Sequence, residues 1–332
     1  MSGRCKPVRD EDGVGELAYL RRFILRRQRY NARVPASADK IANYPVSRDN
    51  RVRKLVTSAF VNLSPMPLYT HSFTVALSVI VRFLVARDRI LGCLGIGPRG
   101  DFSGQPVSCQ AIPSAPNLLD AVYVQPARGL AQSALLICHG IGETVGRWMP
   151  VQQLLAAHGV SSLVFDYSGY GRSTGVISST QCELDAIAAF RHLQTLAPEL
   201  PVSILGFSLG TGIAAAIISR VLPAHLILGA SFTSFRAASR AAGIPALLAP
   251  LVPPIWDARE SLRNSTIPLL VLHGEQDGLF PVQMAREVAA KCPAPTQLVI
   301  VPNVGHNQPF HRPQLSYWSH VLTRLIPVSQ AR

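Results

Sequence analysis

Two stretches of the chain hold a serine between glycines at the spacing G-x-S-x-G: "GRSTG" at Gly171–Gly175 and "GFSLG" at Gly206–Gly210. Such a serine can sit on a tight turn with its hydroxyl projecting, ready to attack a carbonyl carbon once a base takes its proton. Context separates the two. "GFSLG" follows the apolar run "PVSIL" and leads directly into "GTGIAAAIISRVL", so a strand is expected to turn sharply into a helix at Ser208. Its glycines remove side chains that would collide in that turn. The helix aims the positive end of its dipole at the serine. "GRSTG" also follows a strand-like run, but "SGY" intervenes, and the next helical pattern waits until about Thr180. Ser208 is the candidate nucleophile, and Ser173 is expected to be structural.

A base and an acid should lie on other loops that leave strands. His306 sits in "VPNVGHNQPF", just after the apolar run "QLVIV". From there an imidazole can reach back over the sheet edge, whereas His139, His225 and His273 flank the sheet differently. "LLVLHGEQDGLFP" ends a strand and delivers Asp277 into the next loop. Glu275 is the local rival but stands closer to the strand end. Asp257 falls in a segment that reads as a lid, and Asp166 and Asp185 precede the nucleophile. The order Ser208, Asp277, His306 suits a serine–histidine–acid relay on a strand–helix scaffold. An oxyanion would need two N–H donors. Leu209, right after the serine, offers one, and Ile141 in "HGIGE" offers the other.

The elements that must position these residues can be read from periodicity. Continuous apolar runs recur at 121–126, 133–140, 160–167, 201–207, 225–230, 268–274 and 297–303, each bounded by turn residues. Such runs suit strands covered on both faces, as in a parallel sheet. Helical patterns alternate with them. "PVQQLLAAHG" reads as a helix with Pro150 at its start and Gly159 at its stop. Residues 180–197 place Leu184, Ile187, Ala188, Phe190 and Leu193 on one apolar face. Alternating strand and helix predicts an open α/β sheet with ligands at the carboxyl ends of the strands.

Charge is concentrated in the first third of the chain. Residues 1–100 carry 18 Lys and Arg against 7 Asp and Glu, and residues 101–332 carry 14 against 12. The net charge of +13 therefore says little about what the larger part binds. The run "YLRRFILRRQRY" (Tyr19–Tyr30) has the makings of a basic amphipathic helix, which would give peripheral membrane contact, or of a solvated leader. No nucleic-acid partner is expected, since no zinc spacing, recognition helix or RNA-binding aromatic motif accompanies the arginines. The apolar run Phe73–Val81 is nine residues long, well short of the about 20 that a membrane span needs. Counted from Met66 it would lie near a new N-terminus, so residues 1–65 read either as a leader or as sequence upstream of the true start. The six cysteines form no CxxC pair, which favours free thiols in the cytoplasm. No P-loop, metal cluster or dinucleotide fingerprint is present, so no cofactor is expected.

Taken in order, "HGIGE", "FDYSGYGRSTG", "GFSLGTG", "LHGEQDGLFP" and "GHN" resemble the serine α/β-hydrolase superfamily over residues 105–327, in its compact serine-aminopeptidase-like, Bem46-like branch. There "DYSGYGRSTG" corresponds to a family loop, not to the nucleophile turn. The resemblance implies an α/β-hydrolase fold with an eight-stranded, mostly parallel sheet and hydrolysis without a cofactor. The expected organisation is a leader (1–65), an apolar and basic lead-in (66–104) and a hydrolase domain (105–327). A short apolar, Pro-rich lid segment is expected at about 231–266. The expected substrate is a small or lipid-like acyl ester or thioester. A peptidase of the aminopeptidase type and a non-catalytic binding or membrane-associated protein stand as the alternatives.

Overall fold

The apolar runs form strands because each can bury both of its faces. In one strand Ile204 packs into the core on one side of the sheet, while Leu205 and Phe207 pack into the core on the other. A neighbouring strand splits in the same way, with Ala134, Leu136 and Cys138 facing one core and Leu135 and Ile137 the other. The structure, a computed structural model, describes residues 106–127 and 131–326. The Arg-rich leader with its Tyr19–Tyr30 run, and the apolar run Phe73–Val81, lie outside the described residues.

The strands are β1 (Val107–Ser114), β2 (Asn117–Val124), β3 (Ser133–Cys138), β4 (Val160–Phe165), β5 (Val202–Phe207), β6 (Leu226–Gly229), β7 (Leu269–Gly274) and β8 (Thr296–Val301). They form one sheet in the order β1-β2-β4-β3-β5-β6-β7-β8. β1 and β2 make an antiparallel hairpin and β2 runs antiparallel to β4. Every pairing from β4 across to β8 is parallel. This is the expected eight-stranded α/β-hydrolase sheet. The helices that cover it are α1 (Val145–Ala157), α2 (Ser179–Leu196), α3 (Leu209–Val221), α6 (Val282–Lys291) and α8 (Leu315–Leu325). Three shorter helices are α4 (Phe235–Ala241), α5 (Ala258–Leu262) and α7 (Gln308–His311), and a 3-10 turn covers Ala246–Leu251. Among the described residues, no helix is long and apolar enough to cross a membrane.

Three details differ from the sequence reading. β1 has no counterpart among the apolar runs, because it is an edge strand with mixed exposure and no continuous apolar stretch. Pro150 lies inside α1, which begins five residues earlier at Val145. Its ring is exposed, so the Gly146 carbonyl that it leaves without an amide donor faces water. On α2 the buried face is rotated: Leu184 is exposed, while Cys182, Asp185, Ala186 and Ala189 are buried with Ile187, Phe190 and Leu193. The reason is polar. Asp185 accepts bonds from the Ser114 hydroxyl (2.7 Å), the Ser168 amide (2.7 Å), the Ser168 hydroxyl (3.0 Å) and Gln181 (2.8 Å), so a buried carboxylate is held by four donors.

The sharpest packing constraint lies where β5 meets α3. A Cβ on Gly210 would overlap the Cys138 carbonyl oxygen at the end of β3, and one on Gly206 would overlap the carbonyl of Gly210. A Cβ on Gly146 of α1 would meet no heavy atom within 4 Å. Gly210→Ala is therefore expected to prevent folding or lower the melting temperature sharply. Gly146→Ala should stabilise by about 0.5–1 kcal/mol through the helix-propensity difference. Thermal melts of the two variants beside the parent check the contrast.

Candidate active site

Ser208 is the first residue after β5 and precedes the first turn of α3. Its backbone has φ 51° and ψ −118°, a conformation that a non-glycine residue holds at a cost of about 1–3 kcal/mol. Its amide is anchored to the Gly229 carbonyl at 3.0 Å. The hydroxyl is thereby lifted above the carboxyl ends of the strands. Asp277 follows β7 and His306 follows β8, so all three side chains arrive at the same edge.

The structure brings them into one hydrogen-bonded line. His306 Nδ1 lies 2.8 Å from Asp277 Oδ2, and His306 Nε2 lies 3.0 Å from Ser208 Oγ. A carboxylate only accepts, so Nδ1 carries the proton and Nε2 presents its lone pair to the serine hydroxyl. The other carboxyl oxygen, Asp277 Oδ1, accepts the amides of Phe280 (2.8 Å) and Leu279 (2.9 Å) from its own loop. Burial pushes the Asp277 carboxyl up. The His306 hydrogen bond and the two amides outweigh it and hold the group below the usual carboxylate range. Phe280 and Phe207 flank the imidazole, with ring centroids 5.2 and 5.8 Å away. Such a line can carry a proton from a hydroxyl to an imidazole while the acid balances the charge that forms.

The amides of Ile141 and Leu209 are the sequence-derived donors for an oxyanion. Among the described residues neither N–H meets a protein acceptor. The segments that carry them leave neighbouring strands, since β3 and β5 are paired with Cys138 opposite Gly206. The rival acid Glu275 is not in the line. It is exposed, and it accepts the Asn303 amide at 3.3 Å. Asp257 caps α5 and pairs with Arg259 at 2.7 Å. Ser173 is buried: its hydroxyl donates to the Asp166 carbonyl and accepts the Asp120 amide at 2.9 Å. It therefore ties the family loop to β2, a structural placement.

Two polar residues close to the line were given no role from the sequence: His273, set aside there as a base, and Glu143. His273, buried at the end of β7, donates Nε2–H to the Phe280 carbonyl (2.9 Å) and lies 3.5 Å from Asp277 Oδ2. Burial lowers its pKa, which keeps it neutral beside the acid. Glu143 is buried between the loop after β3 and α1, where its carboxyl accepts from the Gly140 amide and the Trp148 indole. Both stand inside motifs quoted above, "LHGEQDG" and "HGIGE". For His273, a histidine inside an apolar strand end is the signal that could have marked it; Glu143 stands in a loop and carries no such signal.

Behind the loop lies a buried acid. Asp166 accepts the Val145 amide at 2.8 Å and sits 3.8 Å from His139 Nε2. Burial, with Asp120 adding like charge, pushes Asp166 up to about 7, against the pull of the Val145 and Arg172 amides and the Arg172 guanidinium. His139 donates to the Gly140 carbonyl at 2.8 Å and is pushed down to about 4 by burial, despite that bond.

Comparison with known proteins places the chain. A family model described as "Serine aminopeptidase, S33" matches residues 129–259. An uncharacterized protein of Mycobacterium tuberculosis is 33% identical over 192 residues, which cover 56% of this chain and 67% of the relative. The lysophosphatidylserine lipase ABHD12 of Macaca fascicularis is 27% identical over 51% of this chain, which spans only 48% of that relative. Among solved structures, the Pyrococcus furiosus esterase Pf2001 superposes with a TM-score of 0.54 at 20% identity, covering 70% of this chain and 93% of its own. An α/β-hydrolase from Vibrio vulnificus reaches a TM-score of 0.61 at 16% identity, covering 79% and 99%. The chain belongs to the α/β-hydrolase superfamily, in its serine-aminopeptidase-like part.

The raised pKa of Asp166 has a measurable consequence. Its folded value of about 7 lies above the ordinary 3.8. Between those values the unfolded chain has released a proton that the folded chain keeps. Stability from this group is therefore full at low pH and is lost as pH rises through about 7. Melting temperatures at pH 5 and pH 8 should show a smaller fall for Asp166→Asn than for the parent, whatever the variant's absolute stability. Equal falls would mean that Asp166 does not titrate in this window.

Proposed function

We propose that the chain is a serine hydrolase that cleaves carboxylic esters or thioesters through an acyl-enzyme. The observation that carries this reading is the Ser208–His306–Asp277 line, with spacings of 3.0 and 2.8 Å. In this reading Ser208 Oγ attacks the acyl carbon while His306 Nε2 takes its proton. The carbonyl oxygen becomes an oxyanion held by the Ile141 and Leu209 amides. When the tetrahedral centre collapses, the bond to the leaving group breaks and His306 gives that group the proton. Water then enters: its oxygen bonds to the acyl carbon as His306 takes one of its protons, and collapse of this second tetrahedral centre breaks the bond to Ser208 Oγ, which takes the proton back from His306 as the acid leaves. Asp277 keeps the imidazole in the required tautomer and balances its charge. The catalytic domain is 105–327 in this proposal.

A lipid-like acyl substrate fits the segment between β6 and β7, proposed as a short lid over 231–266. Its 3-10 turn exposes Leu247, Leu248 and Leu251, and the chain from Arg240 to Leu251 is almost wholly apolar. One matched relative is a lysophosphatidylserine lipase by name, which points the same way. The peptidase reading rests on the description of the matching family model.

Ser208→Ala and His306→Ala should each lower ester turnover by roughly three to six orders of magnitude. A fluorophosphonate probe should label the parent but not Ser208→Ala. Retained hydrolysis by clean Ser208→Ala protein would falsify the assignment. Rates on p-nitrophenyl acyl esters of increasing chain length should exceed those on aminoacyl-anilides. The reverse order would select the peptidase.

A further inference from the structure

The carboxyl of Glu143 is enclosed beside the serine for no evident structural need. Its Oε2 accepts the Gly140 amide at 2.9 Å and the Trp148 indole N–H at 2.8 Å. A Cβ on Gly140 would press into this carboxyl on one side and lie 3.2 Å from Ser208 Cβ on the other. Only a hydrogen atom therefore separates the two at Gly140. The Glu143 amide also reaches back to the Gly140 carbonyl at 3.4 Å, and that carbonyl receives His139 Nδ1–H at 2.8 Å. Both polar groups of Gly140 are thus occupied. The turn through Ile141 and Gly142, where Gly142 has φ 71°, leaves the Ile141 N–H without a protein acceptor among the described residues.

The far end of this arrangement is rigid. Trp148 is fully buried and packs on Phe207, Phe310 and Trp318, with ring centroids 5.3 to 6.3 Å apart across that group. Phe207 is the residue before Ser208 and also touches His306. One carboxyl oxygen thus joins the loop that carries the Ile141 amide to the aromatic floor beneath the serine and the histidine.

We propose that Glu143 is a positioning residue of the proposed hydrolase site: through Oε2 it fixes the Gly140–Gly142 turn so that the Ile141 N–H is aimed at the oxyanion. The inference rests on the reading of Ser208 as nucleophile. Burial pushes Glu143 up to about 7, opposed by the Gly140 and Trp148 bonds and by the charges of His306 and Arg147. Oε2 can accept both bonds in the ionised and in the Oε1-protonated form, more strongly when ionised.

A glutamine can reproduce both bonds with its carbonyl oxygen, and an alanine can reproduce neither. In the 332-residue chain, Glu143→Ala should lower kcat on p-nitrophenyl butyrate by about 30- to 100-fold with KM within about threefold, the loss expected when an oxyanion donor is misplaced. Glu143→Gln should restore kcat to within about fivefold of the parent. An alkyl trifluoromethyl ketone, to which Ser208 would add to form a hemiketal oxyanion, should lose affinity in Glu143→Ala by the same factor as kcat/KM. Trp148→Phe keeps a six-membered ring but removes the N–H and part of the buried indole, and should lower kcat about five- to tenfold along with a lower melting temperature. It decides the matter if the alanine variant does not fold. Parental kcat in a folded Glu143→Ala or in Trp148→Phe, or a glutamine variant as slow as the alanine one, overturns the proposal. If Ser208→Ala hydrolyses the ester as the parent does, the reading of the site fails instead.

Discussion

The site depends on one forced piece of backbone, the turn at Ser208. A strand that runs into a helix with no intervening loop must reverse direction within a residue or two, and the chain does so by holding a serine at positive φ. That is possible only while the backbones of β5 and α3 come almost into contact with each other and with the end of β3. The contact explains the two glycines better than flexibility does. It also sets where the segments carrying the Ile141 and Leu209 amides, the proposed oxyanion donors, begin. Because Cys138 pairs with Gly206 in register, the loop that leaves β3 and the helix that leaves β5 start side by side. Among the described residues the Ile141 and Leu209 amides, one on each of these two segments, meet no protein acceptor.

Around that turn the protein buries several carboxyl groups and treats each differently. Asp185 is enclosed by four donors and ties α2 to the loop after β4 and to β1. Asp277 has its outer oxygen filled by two amides of its own loop, so only one oxygen remains to orient the imidazole. Asp166 and Glu143 receive fewer compensating bonds for their burial and are pushed upward in pKa. The contrast is the usual competition between lost hydration and gained hydrogen bonds. Here it separates an acid kept ionised beside the histidine from acids that brace the loop behind the serine.

Much of this was legible in the sequence because a parallel sheet marks its strand ends clearly. An apolar run stops, a glycine or acid follows, and polar residues placed there share one edge. The meeting of Ser208, Asp277 and His306 at one edge was legible for that reason. What failed to show had local causes. β1 pairs on one side only and keeps a half-wet composition, so it lacks the apolar signature of the other strands. The face of α2 is set by Asp185, whose partners Ser114 and Ser168 are distant in sequence. Hydrophobic spacing alone therefore put Leu184 inside. Glu143 and His273 lie within recognised motifs, but their roles depend on Trp148, Phe280 and Gly140, contacts that no spacing rule reveals. Pro150 misled because a proline is tolerated inside a helix wherever the carbonyl it deprives faces solvent.

The order of the sheet has a consequence for the chain as it is made. β5 with its turn is bordered on both sides by strands that precede or soon follow it, whereas among the described residues β8 pairs with β7 alone at the sheet's edge. His306 hangs from the end of that last strand. During synthesis, the serine turn can form while the histidine is still within the ribosome. The hydrogen bond between Ser208 and His306 can then form only once nearly all of the described fold has been delivered.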